Sequence, residues 1–107
     1  MTDQKKSRRQ VLEEFVEKAP NDAFSRYGLA MECMSSGDAG AAIRQFGLLL
    51  EKNADYVPAY LMYGQLLARE SRREEARQIL TQGMAAAARK GDSHAASEME
   101  ALLADLT

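Results

Sequence analysis

Five short breaks punctuate this chain, and between them apolar residues return every three or four positions. The breaks are Pro20-Asn21, Ser36-Gly37-Asp38, Asn53-Ala54-Asp55, Ser71-Arg72-Arg73 and Gly91-Asp92. A return near 3.6 residues marks amphipathic helix, and no stretch shows the strict alternation of a half-buried strand. The spacing predicts an all-α chain of about six helices, near residues 4–18, 22–35, 39–52, 57–70, 73–90 and 93–106. Connections of two to five residues force consecutive helices to run antiparallel. The breaks have stereochemical reasons. Asn21 and Asp38 can accept from the free amides that open the next helix. Gly37 and Gly91 can adopt the left-handed backbone that ends a helix. Pro58 suits a first helical turn, where its missing N–H is not needed. The break at Ser71-Arg72 has no glycine.

The apolar stripes read as core faces. The first segment offers Val11, Leu12, Phe15, Val16 and Ala19; the second offers Phe24, Tyr27, Gly28, Met31 and Met34. The third and fifth carry Ala42, Phe46 and Leu49, and Ala76, Leu80 and Gly83. Comparing the chain with itself, Phe24…Tyr27-Gly28…Met31 aligns with Tyr60…Tyr63-Gly64…Leu67 at an offset of 36. Ala42, Phe46 and Leu49 align with Ala76, Leu80 and Gly83 at an offset of 34. Two extra residues in the Ser36–Gly40 turn would reconcile the two values. Glycine inside a helix costs about 0.5–1 kcal/mol relative to alanine. Gly28 and Gly64 are therefore expected where a neighbouring helix comes close.

An aromatic, then Tyr-Gly, then a large apolar residue, followed on the next helix by alanine and a large apolar residue, resembles the tetratricopeptide repeat (TPR). The resemblance covers about two-thirds of the chain. It implies a right-handed superhelical stack of antiparallel helix pairs. Residues 21–56 would form one repeat and 57–90 a second, flanked by an N-terminal helix within 1–20 and a capping helix within 91–107. A repeat cannot bury both of its faces alone, so the flanking helices are expected to pack on the ends. The polar residues Ser97, Glu98, Glu100 and Asp105 on the last helix and the end at Asp105-Leu106-Thr107 lead to the expectation of a complete protein, the alternative being a fragment of a longer repeat array. Alanine stands at position 54, where the family usually has proline.

Composition excludes several classes. Apolar residues make up 46% and charged residues 28%, which excludes disorder. Net charge is −2, so no global field draws polyanions. One cysteine, Cys33, can form neither an internal disulfide nor a cysteine metal site. Basic residues at the N-terminus are followed by Val11-Leu12 and then Glu13-Glu14, which is not a secretory signal. No run approaches the roughly 18 apolar residues of a membrane span. A reducing, cytoplasmic setting follows as the expectation.

Little in the chain suggests chemistry. His94 opens the last helix, and Cys33 has no basic neighbour in sequence. Glu13-Glu14 and Glu74-Glu75 read as exposed helix residues, with Glu14 placed to meet Lys18. No phosphate loop, zinc motif or calcium loop is present. No catalytic residue, metal or cofactor is expected. Lys5, Lys6, Arg8 and Arg9 against Asp3 give the first ten residues a charge of +3. Such an arm could touch nucleic acid. However, the aromatics Phe15, Phe24, Tyr27, Phe46, Tyr60 and Tyr63 belong to the core pattern, which leaves only Tyr56 as a base-stacking platform.

What remains is binding. In the family the first helix of each pair lines a concave face. The resemblance places there Asp22, Ser25, Leu29, Glu32 and Cys33, and from the next pair Leu61, Met62, Gln65, Ala68 and Arg69. It implies a non-catalytic interaction module that takes a peptide or protein partner. Self-association through the first or last helix is the alternative, with a nucleic-acid adaptor behind it. The lysine and asparagine set that grips chaperone tails in one TPR subset is missing here.

Overall fold

The computed structural model describes residues 5–106. Among these there are six helices and no strand: α1 (Arg8–Lys18), α2 (Ala23–Ser35), α3 (Ala39–Lys52), α4 (Val57–Arg69), α5 (Arg73–Arg89) and α6 (Ser93–Asp105). Each packs on the next, and the stack measures 55 × 27 × 20 Å. The first helix starts later than its apolar spacing predicts. Residues 5–7 precede it, and Gln4 lies outside the described residues. Ser7 sets the start through a capping box: its hydroxyl accepts from the Gln10 amide, and its own amide donates to Gln10 Oε1.

Turn geometry recurs along the chain. Gly37, Ser71 and Gly91 have φ of 85°, 64° and 68°. In each case that residue's amide bonds back to Met34, Ala68 or Ala88. The next amide reaches one residue further, to Cys33, Leu67 or Ala87. This is the Schellman closure, which satisfies the last carbonyls of a helix. Ser71 makes it without glycine. A second kind of turn joins α1 to α2 and α3 to α4. Ala19 and Asn53 share φ near −135° and −139°, and the Asp22 and Tyr56 amides bond back to their carbonyls. Asp38 caps α3 by accepting from the Ala41 amide at 3.2 Å. Asn21 does not cap; its side chain accepts from Lys52 Nζ at 3.1 Å, and Asp22 holds the N-cap place.

These landmarks establish a single register. Ala19 and Asn53, Ala23 and Val57, Gly37 and Ser71, and Ala39 and Arg73 each stand 34 positions apart. The turns after α2 and α4 are both three residues long, so there is no insertion near Gly37 and the offset of 36 is corrected to 34. Arg26, not Phe24, occupies the place of Tyr60. The equivalence extends to hydrogen bonds: Tyr60 Oη donates to the Ala54 carbonyl at 2.7 Å, and Arg26 Nη2 donates to the Pro20 carbonyl at 3.1 Å. Ala30 matches Gly64, and Cys33 matches Leu67. A shift of two residues turns a helix face by about 200°. The buried face of α2 is therefore Arg26, Leu29, Ala30 and Cys33, whereas Phe24 is 75% exposed.

Two cores run through the stack. Leu29, Ala30, Cys33, Ala42, Phe46, Leu49 and Leu66 form the first. Val57, Tyr60, Leu67, Ala76, Leu80, Ala87 and Met99 form the second. Ile43, Leu50 and Tyr63 pack against both, and Tyr63 stacks on Phe46 with ring centres 5.5 Å apart. Glycines permit the closest approaches. A side chain at Gly64 would begin 2.7 Å from Leu80 Cγ, and one at Gly83 would begin 2.5 Å from both Tyr60 Cβ and Met99 Sδ. Gly28 also faces another helix, but it is α1: its space borders Leu12 at 3.2 Å. The first stripe is corrected at Phe15, which is 52% exposed although its equivalents Leu49 and Gly83 are buried.

Candidate functional site

The corrected register decides which side chains α2 presents beside α4. Leu61, Met62 and Ala68 of α4 are half-buried, and Gln65 and Arg69 are exposed. Counting back 34 residues puts Tyr27, Met31, Met34 and Ser35 of α2 at the places of Leu61, Gln65, Ala68 and Arg69. Leu29 and Cys33, expected on this face, lie in the first core at 3% and 1% exposure. Asp22 is exposed at the start of α2 and accepts from the Ser25 hydroxyl. Glu32 is half-buried and pairs with Arg8 Nε at 3.1 Å. Phe24, Tyr27, Gly28, Met31, Glu32 and Ser35 join Arg8 around a depression of about 400 Å³. The side of α2 that stands beside α4 is thus more apolar than the expected set of residues. The Leu29-Ala30 pair at the place of Tyr63-Gly64 was the signal for it.

Aromatic packing holds this face in place. The Tyr27 ring lies 5.4 Å from that of Tyr56 and meets the edge of Phe46 at 6.3 Å. Burial pushes the Tyr27 and Tyr56 hydroxyls above the usual tyrosine range. Tyr56 is therefore tied to α2 and is not the open platform its loop position suggested. A larger depression, about 560 Å³, lies between the α3–α4 and α5–α6 turns, from Asp55 to Pro58 and Lys90 to Asp92. An ion pair between Arg89 and Asp55 at 2.8 Å adjoins it.

Charged side chains are used to fasten helices. Arg9 bridges Glu13 on its own helix and Asp38 at the α2–α3 turn, at 3.3 and 2.9 Å. The Arg9 hydrogen bond holds the Asp38 carboxyl below its ordinary range. Glu14 pairs with Lys6 at 2.6 Å, not with Lys18, and that bond lowers its carboxyl. Arg72 does the same for Glu75. Glu74 pairs with Arg77, and His94 meets Glu98 at 3.2 Å. Cys33 lies buried in the first core, and burial raises its thiol above its usual range. Among the described residues no group of three His, Cys, Asp or Glu could hold a metal ion, and no helix is long and apolar enough to cross a membrane.

Stacked antiparallel helices on a 34-residue period, with two alternating kinds of turn through α5, define a helical repeat protein of the solenoid class. The chain is 30% identical over 95 residues to a TPR repeat-containing protein of Pseudomonas aeruginosa, spanning 89% of this chain and 90% of that one. It belongs to the tetratricopeptide-repeat family. No family model matches it. Among solved structures, it resembles a tetratricopeptide repeat domain protein of Salinibacter ruber: TM-score 0.77, 32% identity, 81% of this chain and 88% of that one. It also shares its fold with the Yersinia enterocolitica type III secretion chaperone SycD, solved in complex with a peptide of the translocator YopD. There the TM-score is 0.76 at 14% identity, over 92% of this chain and 79% of that one.

Proposed function

We propose that the protein is a non-catalytic interaction module that takes a peptide or helical segment of a partner protein along the α2–α4 face. The observation that carries this is the exposure of Phe24 on α2, beside Tyr27, Gly28 and Met31 around a depression that α2 shares with Arg8 of α1. Phe24 is the one large apolar side chain of α2 left in water, and it stands at the edge of the half-buried Tyr27 and Met31, which makes it an anchor for an apolar group of a partner. Leu61, Met62, Gln65, Ala68 and Arg69 of α4 continue the face, with the exposed Arg69 able to fix orientation. SycD, of the same fold, is known with a bound peptide, which supports peptide capture as a use of this architecture. The fastened carboxylates and the buried thiol support a role without catalysis.

The test is peptide selection from a random display library on the wild-type chain, followed by titration against variants. Selected peptides are expected to bind Phe24→Glu and Leu61→Glu at least tenfold more weakly, and Gln65→Ala less severely. Peptides that bind wild type, Phe24→Glu and Leu61→Glu with equal affinity overturn the assignment of this face.

A further inference from the structure

We propose that α1 is a strap, hinged at the α1–α2 turn and fastened by two ion pairs at its other end, that opens as a unit while the rest of the stack stays folded. The two terminal helices are held in different ways. α6 sinks Met99 into the second core against Gly83, and Ala95, Ala96, Leu102 and Leu103 pack around it. Just past its end Leu106 is buried as well, and its carbonyl accepts from Arg77 Nη1 at 2.7 Å. α1 has no buried residue, and among the described residues only its Leu12 and Val16 pack on the first core. The 34-residue register shows why. Arg9, Leu12, Glu13 and Val16 stand where α3 has Ile43, Phe46, Gly47 and Leu50. In α3 those places hold a fully buried Phe46, with Ile43 and Leu50 packed against both cores. In α1 they hold two charges and two smaller apolar groups.

Charge does the fastening instead. Arg8 reaches Glu32 of α2 at 3.1 Å, and Arg9 reaches Asp38 at the α2–α3 turn at 2.9 Å. Both arginines lie at the start of α1, far from the turn into α2. Arg8 and Asp38 are exposed, so dissolved salt screens both pairs. The opposite end is fixed: Arg26 Nη2 holds the Pro20 carbonyl and Lys52 Nζ holds Asn21 Oδ1, which keeps the turn on α2 and α3 when α1 swings. Cys33 lies beneath the fastening. It follows Glu32 in the chain, and its carbonyl accepts from the Asp38 amide at 2.9 Å. Besides burial, the charges of Arg9 and Glu13 on α1 act on its thiol, so α1 lies over it. A segment with few buried apolar contacts opens at a fraction of the global unfolding free energy. Opening bares the Cys33 thiol and takes Arg8 away from the depression beside Phe24. Ionic strength therefore sets the shape of that depression, whatever the face binds.

Alkylation of Cys33 by iodoacetamide at fixed pH tests this, with each rate divided by that of the urea-unfolded chain in the same salt. In the wild type the relative rate is expected to rise only weakly with urea below the unfolding transition, because little surface is exposed when α1 alone opens. Between low and high salt it is expected to rise about threefold or more. Glu32→Gln combined with Asp38→Asn removes both pairs, and the amide oxygen introduced at position 38 still caps α3. That variant is expected to react about fivefold faster than wild type at low salt and to lose the salt dependence. Far-UV circular dichroism checks that it folds. A rate that climbs with urea as steeply as global unfolding does overturns the proposal, since Cys33 would then be reached only when the whole stack comes apart. A rate that salt or the double variant leaves unchanged overturns it too, since the two ion pairs would not be what holds α1.

Discussion

The hairpins α2–α3 and α4–α5 follow the same backbone path with different side chains. Where the second has Tyr60 over Gly83, the first has Arg26 and a fully buried Leu49. Volume has moved from the first helix of the pair to the second, and the crossing is kept. Arg26 is only 8% exposed and carries a charge into the position of a tyrosine. It is satisfied by the Pro20 carbonyl and by Gln45 Oε1 at 2.8 Å. Its long stem supplies apolar packing and its head reproduces the hydroxyl's bond to the turn. In this chain the repeat geometry resides in the turns and in the sum of two facing volumes, not in a particular residue at either place.

The harshest way to break that view is Gly83→Leu, which puts the first hairpin's residue into the second. The new side chain starts against Tyr60 Cβ, which is fixed to the backbone and cannot swing away. A loss of about 3 kcal/mol is expected from the urea midpoint, with part of it absent when Tyr60→Ala is combined. An unchanged midpoint would mean that the two hairpins do not trade volume.

Arg26 sharpens the same point. Arg26→Ala is expected to cost about 2 kcal/mol, because Gln45 and the Pro20 carbonyl lose their donor and the core loses the stem. Arg26→Tyr restores the apolar packing and, through its single O–H, the bond to the Pro20 carbonyl, and is expected to stay within about 1 kcal/mol of wild type. Equal losses for the two variants would refute the equivalence with Tyr60.

A smaller effect distinguishes the turns. Ser71 holds a left-handed backbone that glycine adopts freely, so Ser71→Gly is expected to add about 1 kcal/mol. Gly37→Ser is expected to remove a similar amount, as thermal unfolding would report.

The smallest effect separates the way α1 is held from the way α4 is held. Asp38 titrates below its ordinary range because it is bonded to Arg9, so that bond stabilises the fold above the ordinary aspartate pKa. It is lost as pH falls through the lowered value. Amide protection in α1 is expected to decline as pH falls below the ordinary aspartate range, ahead of protection in α4, which is held by its apolar core. Parallel loss in both helices would show that the Arg9 bridge does not fasten α1.

Much of this was readable from residues. Gly37, Gly91, Asp38 and Pro58 announce their turns through stereochemistry alone, and five of the six helices start within a residue of their expected places. The register of α2 was not, for a local reason. Phe24…Tyr27-Gly28 imitates Tyr60…Tyr63-Gly64 two residues out of step, and an aromatic beside a glycine carries no label saying which helix it faces. Leu29 and Cys33 were consequently expected on the open face, when they fill the first core. The 34-residue spacing of Ala42 to Ala76 held the correct answer, as did Asn21 and Asp55, which each accept from a basic side chain late in a following helix. The break at Ser71 was placed, but its left-handed backbone was not, because nothing in a serine's chemistry requires a positive φ.

The matching dihedrals at Ala19 and Asn53 make the stack editable. Excising residues 23–56 would join Asp22 to Val57 across a seam where the incoming and outgoing backbone already point the same way. Copying that stretch would insert a further storey by the same splice. Lineages of such chains can therefore change length in whole steps, while a change of one or two residues would rotate everything downstream out of its socket.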